Sequence, residues 1–179
     1  AGFLIEVMAY LTGRLRNDIR LTDVEREEIR KKICNECLYG IEANERVARI
    51  ARINMYLHGD GGSHIFHGDG LDLDPQFTSD MATEQCEEIR EFKKTIKEGT
   101  FDLILTNPPF SMNYSSANAD EKRILNQHEL TRGEASAKSS ILFLNRYLEL
   151  LANGGEMLII LDDTVINGKT FEKVRRWIL

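Results

Sequence analysis

The chain has 179 residues, 42% hydrophobic and 29% charged, with three prolines, a composition that excludes long disorder and fits one soluble globular domain. Its longest apolar runs, such as Met157 to Leu161, are of strand length and far short of the roughly 20 residues that cross a bilayer, so no membrane partner is expected. A net charge of −6 excludes a basic surface that grips duplex DNA unaided, so either another domain or subunit holds the nucleic acid or none is bound.

The first residues, Ala1-Gly2-Phe3-Leu4, carry neither an initiator methionine nor a basic leader, and the chain is expected to be a fragment of something longer. Thr22 and Glu25 form a capping-box pattern that predicts a helix to about Cys37. Cys34 and Cys37 make a lone C-x-x-C, whereas a structural zinc site normally needs four ligands. Both thiols are expected at an ordinary buried helix end, with no metal. Three cysteines and no secretory signal point to the reducing cytoplasm.

Leu38 to Glu42 reads as a short strand ending on an acid, and Glu45 to Tyr56 as an amphipathic helix packing through Val47, Ile50, Ala51 and Asn54. Gly59 to Gly62 is a turn, and Ser63 to His67 a strand leading into Gly68-Asp69-Gly70. His58-Gly59-Asp60-Gly61 recurs as His67-Gly68-Asp69-Gly70, but two copies fall short of a calcium-binding repeat array. Asp69, Asp72 and Asp74 also lack the ligand order of an EF-hand. A loop containing Pro75 precedes a predicted helix from Ser79 to Lys97, whose mixed charges read as a solvated face.

Phe101 to Thr106 is a strand, followed directly by Asn107-Pro108-Pro109-Phe110. Residues 111–133 are polar and without a clear period, and are expected to form a long functional surface loop with one helical turn in it. Ser139 to Leu151 is helical, Asn153-Gly154-Gly155 ends it, Glu156 to Leu161 is a strand and Phe171 to Leu179 begins a helix. This alternation predicts an α/β fold, a parallel sheet with helices on both faces, in a single domain over 1–179. The domain is expected to lack most of its first strand and the last ones.

The strand ends carry the chemistry. A glycine-rich strand-to-helix turn lets the backbone approach a nucleotide-like cofactor, and Ala1-Gly2-Phe3-Leu4 fits the tail of such a turn. Glu42 can accept hydrogen bonds from ribose hydroxyls, and Asp69 from an adenine amino group. Each alone also reads as an ordinary loop acid. At Asn107 the relevant chemistry is electronic: the lone pair of an amino group on a planar base is delocalised into the ring, so its nitrogen is a poor nucleophile. The Asn107 carboxamide oxygen and the Pro108 carbonyl can together draw the two amine hydrogens toward tetrahedral geometry. Pro109 biases Pro108 toward an extended conformation that aims its carbonyl outward. Phe110 offers a flat face, and base stacking on an aromatic is worth about 1–3 kcal/mol. The tetrapeptide resembles the catalytic motif of amino-group methyltransferases, and by itself that resemblance implies only a planar amine as methyl acceptor.

Taken in order, these segments resemble the N6-adenine DNA methyltransferases. Residues 1–4 are similar to the end of the family's glycine-rich loop, Gly40-Ile41-Glu42 with Asn44 to its second motif, and Ile65 through Asp69 to its third. Phe101 through Phe110 resembles the catalytic strand and loop, Leu148 through Leu161 the next helix and strand, and Asp162 to Phe171 the segment after them. The modification subunit of type I restriction systems is similar in style over nearly the whole chain.

The resemblance implies a Rossmann-like fold and S-adenosylmethionine as cofactor, bordered by Ala1, Gly2 and Phe3, held by Glu42 and Asp69 and reached by Asn107. It also implies Asn107, Pro108, Pro109 and Phe110 as the catalytic set acting on a flipped adenine of duplex DNA, with a specificity subunit and a restriction subunit as partners. Transfer is direct and requires no dedicated general base. A methyltransferase acting on RNA guanine or on a protein glutamine amide, or a non-catalytic assembly or DNA-binding subunit, remains an alternative.

Overall fold

The computed structural model describes residues 2–59, 64–168 and 171–178, and divides into two compact units, Ala1–Gly70 and Leu71–Leu179. Both mix helices with small sheets, which places the protein in the α/β class. Among the described residues no helix is long and apolar enough to cross a membrane.

The first unit contains α1 (Gly2–Arg16), α2 (Asp23–Glu36), β1 (Tyr39–Glu42), α3 (Glu45–Leu57) and β2 (His64–His67). Helix α2 begins where its capping pattern predicts: the Glu25 amide donates to Thr22 Oγ1 at 3.3 Å, and the Thr22 amide donates to Glu25 Oε2 at 2.8 Å. Strands β1 and β2 pair in parallel from Tyr39 opposite His64 to Glu42 opposite His67. A parallel pair needs a crossover of a dozen or more residues, which α3 supplies. Met8, Cys34, Leu38, Ala51, Met55 and Ile65 form the core beneath them. Gly40 permits this packing, because a Cβ there would come within 2.9 Å of Ile65 Cδ1 and 3.3 Å of Leu4 Cδ1.

Two expectations for this unit need correction. Helix α3 buries Ala51 as expected, but with Ala48 and Met55 rather than Val47 and Ile50, which are exposed, so its inward face is turned toward Ala48 and Met55. The small side chains at 48 and 51 allow the helix close to the strands. Cys34 is buried as a small hydrophobe, but Cys37 is exposed, since it lies one residue past the last turn of α2. Ala1, and Asp60 to Ser63 with the last two residues of the first His-Gly-Asp-Gly copy, lie outside the described residues.

In the second unit, α4 (Thr83–Thr95) is shorter than expected and is anchored by buried Phe92. Strand β3 occupies Phe101–Thr106, as predicted, and pairs in parallel with β6 (Leu151–Ile159). Strand β6 starts five residues earlier than expected. Asn153-Gly154-Gly155 lies within it, at a register shift that pairs Phe101 with Leu151 but Leu103 with Glu156. Gly154 accommodates the shift with φ 82, a left-handed conformation open to glycine.

The largest correction concerns residues 111–133, expected to be surface loop. They contain β4 (Asn113–Ser115) and α5 (Ala119–Gln127), and β4 pairs antiparallel with β5 (Ser136–Lys138) just before α6 (Ser139–Leu150). Tyr114, Ile124 and Leu125 are buried with Leu71 and Leu142. The helix α7 (Asp163–Asn167) was also not foreseen, while α8 (Glu172–Ile178) was.

Buried polar groups stitch this segment down. His128, with no exposed surface, pairs its Nε2 with the Leu71 carbonyl at 2.8 Å. The Leu130 amide donates to Asn145 Oδ1 at 2.9 Å. Arg123 grips both oxygens of buried Asp72, at 2.7 and 2.6 Å, and Gln127 and the Asp74 amide donate to the same carboxylate. Burial pushes the Asp72 carboxyl up, but these donors more than offset it and hold the group below the usual carboxylate range.

A carboxyl depressed in the folded state adds stability that is present above its unfolded value, about 3.9, and is lost as pH falls through the lower folded value. Asp72→Asn is therefore expected to cost about 1–3 kcal/mol at neutral pH, toward the lower figure because Arg123 is partly open to water. The gap between wild type and variant narrows as pH drops below about 4, which urea melts at several pH values would measure.

Candidate active site

Parallel strands bring their carboxyl ends to one edge, and in the first unit that edge carries two of the expected cofactor ligands. Glu42 ends β1 opposite His67, the last residue of β2, and the Gly68 amide donates to the Glu42 carbonyl at 3.0 Å. Glu42 and the exposed Asp69 thus emerge side by side from neighbouring strands. Glu42 Oε1 accepts the Asn44 amide at 2.9 Å, which orients the carboxylate. Asn44 in turn caps α3, its Oδ1 accepting the Val47 amide at 3.1 Å. An oriented, half-buried carboxylate beside an exposed aspartate is a hydrogen-bond acceptor set, suited to hydroxyl and amine donors. Gly2 and Phe3 begin α1, exposed, and Leu4 of the same turn approaches β1 at Gly40.

The catalytic candidates lie in the second unit, immediately past β3. Asn107 is exposed, Pro108 buried, and Pro109 and Phe110 exposed. Among the described residues no hydrogen-bond partner is found for the Asn107 carboxamide, so its oxygen is available to a ligand. The loop is fastened on both sides. Upstream, the Ile160 amide donates to the Thr106 carbonyl at 3.2 Å, and Thr106 Oγ1 donates to Tyr147 Oη at 2.8 Å. Downstream, Ser139 Oγ donates to the Pro109 carbonyl at 2.6 Å, and the Ser139 amide donates to the Met112 carbonyl at 2.9 Å. Burial pushes the Tyr147 phenol up, a shift only partly opposed by the Thr106 hydroxyl, so it stays protonated at neutral pH.

Next to this loop, Lys138 Nζ lies 3.4 Å from both Asp162 Oδ2 and Thr164 Oγ1. Asp162 caps α7 by accepting the Thr164 amide, and that bond, the Thr164 hydroxyl and Lys138 hold its carboxyl below the usual range. Sequence reasoning missed Ser139, Tyr147 and Lys138. Their partners stand 30, 41 and 24 residues away, and no local pattern announces such contacts. Among the described residues no group of three or more His, Cys, Asp or Glu side chains could hold a metal.

In the first unit a glutamate ends one parallel strand and an aspartate follows its neighbour, and in the second an Asn-Pro-Pro-Phe loop follows β3. The chain matches the N-6 DNA methylase family over residues 1–179 and belongs to it. It is also similar to the type II restriction enzyme and methyltransferase RM.BcgI of Heyndrickxia coagulans, 28% identical over 177 residues. The match covers 98% of this chain and 21% of that protein, so the chain spans about a fifth of its relative's length.

Tyr147→Phe removes the acceptor of the Thr106 hydroxyl at the root of the loop. It is expected to lower stability by about 0.5–1.5 kcal/mol, the net value of one such bond, as read by chemical denaturation.

Proposed function

We propose that this chain is the catalytic region of a site-specific DNA methyltransferase that transfers a methyl group from S-adenosylmethionine to the N6 amino group of adenine, within a restriction-modification system. The observation that carries this reading is the Asn107-Pro108-Pro109-Phe110 loop at the carboxyl end of β3, with the Asn107 carboxamide exposed. Membership of the N-6 DNA methylase family over the whole chain supports it, as does the relative whose name joins restriction enzyme and methyltransferase.

In this reading Glu42 accepts hydrogen bonds from the cofactor ribose, Asp69 accepts one from its adenine, and Gly2 and Phe3, with Ala1, border it. S-adenosylmethionine, when bound, supplies a sulfonium methyl group as electrophile. Asn107 Oδ1 and the Pro108 carbonyl accept the two hydrogens of the target amine and return its lone pair to nitrogen, an electrostatic preorganisation of the kind that dominates many catalysed reactions. Asn107 also borders the cofactor. Pro109 fixes the loop, and Phe110 stacks on an adenine flipped out of the duplex, since a paired base cannot enter such a pocket.

The acidic charge of −6 fits a division of labour in which a specificity subunit reads the DNA and a restriction subunit cleaves it. We further propose that residues 1–179 form one Rossmann-like methyltransferase domain acting in the cytoplasm, where Cys34, Cys37 and Cys86 remain free thiols.

Incubating the full-length protein with radiolabelled cofactor and DNA is expected to label N6 of adenine. Label on RNA guanine or on a protein amide instead, or on none of the three, overturns the proposal. Asn107→Ala is expected to reduce methyl transfer by about a thousandfold or more, while cofactor affinity by equilibrium dialysis changes only a few fold.

A further inference from the structure

The geometry assigns Ser139 as a positioning residue for the Asn107-to-Phe110 loop, an assignment that rests on the catalytic reading of that loop. Proline has no amide hydrogen, so Pro108 and Pro109 cannot be fastened by donating to their surroundings. These two residues can be fixed from outside only through their carbonyls and rings. Ser139, with no exposed surface, takes the Pro109 carbonyl through its hydroxyl at 2.6 Å and the Met112 carbonyl through its amide at 2.9 Å. That amide opens α6 and belongs to the first turn, where backbone donors have no partner within the helix.

Of the two proline carbonyls, Ser139 therefore holds the second, and the first is left to face the amine. The same helix fastens the other side of the loop through Tyr147 and Thr106. Eight residues of helix separate Ser139 from Tyr147, about 12 Å along the axis. A loop hydrogen-bonded at both ends to one helix has less freedom to rotate the Pro108 carbonyl than one held at a single end. Losing the Ser139 hydroxyl frees one end.

Ser140 provides the internal comparison, because it is equally buried and among the described residues its hydroxyl has no hydrogen-bond partner. Single-turnover methylation by the full-length protein would be measured for Ser139→Ala, Ser139→Thr, Ser140→Ala and Asn107→Ala, with cofactor and DNA dissociation constants alongside. Ser139→Ala is expected to slow the methyl-transfer step by about ten- to a hundredfold, the scale of a small misplacement of reacting groups, with both dissociation constants within about twofold. Ser139→Thr, which keeps the hydroxyl, recovers much of the rate, and Ser140→Ala matches wild type.

A wild-type rate in Ser139→Ala beside an inactive Asn107→Ala overturns the assignment and leaves the reading of the loop intact. Equal losses in Ser139→Ala and Ser140→Ala, or a Ser139→Thr variant no faster than the alanine, also overturn it, by pointing to packing alone. An active Asn107→Ala overturns the catalytic reading itself.

Discussion

Parallel pairing is the constraint on which the functional geometry depends. It forces the carboxyl ends of paired strands to one edge, and the chain can then present a different side chain from each strand to the same space. In the first unit this brings Glu42 and Asp69 together from β1 and β2. In the second it sets Asn107, at the end of β3, beside the stretch that leaves β6 toward Asp162. Antiparallel neighbours would send these residues to opposite edges. The crossovers that parallel strands require also supply the helices that orient the site: α3 is capped by the same Asn44 whose amide orients Glu42.

The second unit adds a device that the strand pairing alone does not provide. The chain leaves the Asn-Pro-Pro-Phe loop, folds β4, α5 and β5 as a small body of its own, and returns at Ser139 to hydrogen-bond the loop it left. The excursion is kept in place by Asp72 with Arg123, His128 with the Leu71 carbonyl, and Asn145 with the Leu130 amide. Buried polar groups with specific partners are costly to rearrange, and so they define one docking of the excursion. A polar, asparagine-rich segment is thereby ordered without the long apolar stripe that helices usually need.

This is also why the segment was illegible. Its helix signal was present in Asn118, whose side chain accepts the Asp120 and Glu121 amides, and in the apolar pair Ile124-Leu125. Nine residues hold too few turns for a clear period, and the surrounding Asn and Ser read as loop. The inward face of α3 was misjudged for a related reason: arginines and apolar residues alternate so closely that two faces fit, and only contact with β1 and β2 selects Ala48, Ala51 and Met55. By contrast, the Thr22 to Glu25 cap and strand Phe101–Thr106 were legible to the residue, because capping and a bounded apolar run are decided by immediate neighbours.

The sequence by itself determined the order of chemical groups along the chain: Gly2, Glu42, Asp69, then Asn107-Pro108-Pro109-Phe110, each at a strand end or a helix start. That order follows from local rules for where strands end and helices begin. Tertiary structure alone decided that Glu42 and Asp69 share an edge, that residues 111–138 are folded rather than loose, and that Ser139 and Tyr147 hold the loop from one helix. Those contacts join residues up to 57 positions apart, and closing such distances depends on what the whole unit buries rather than on any short pattern.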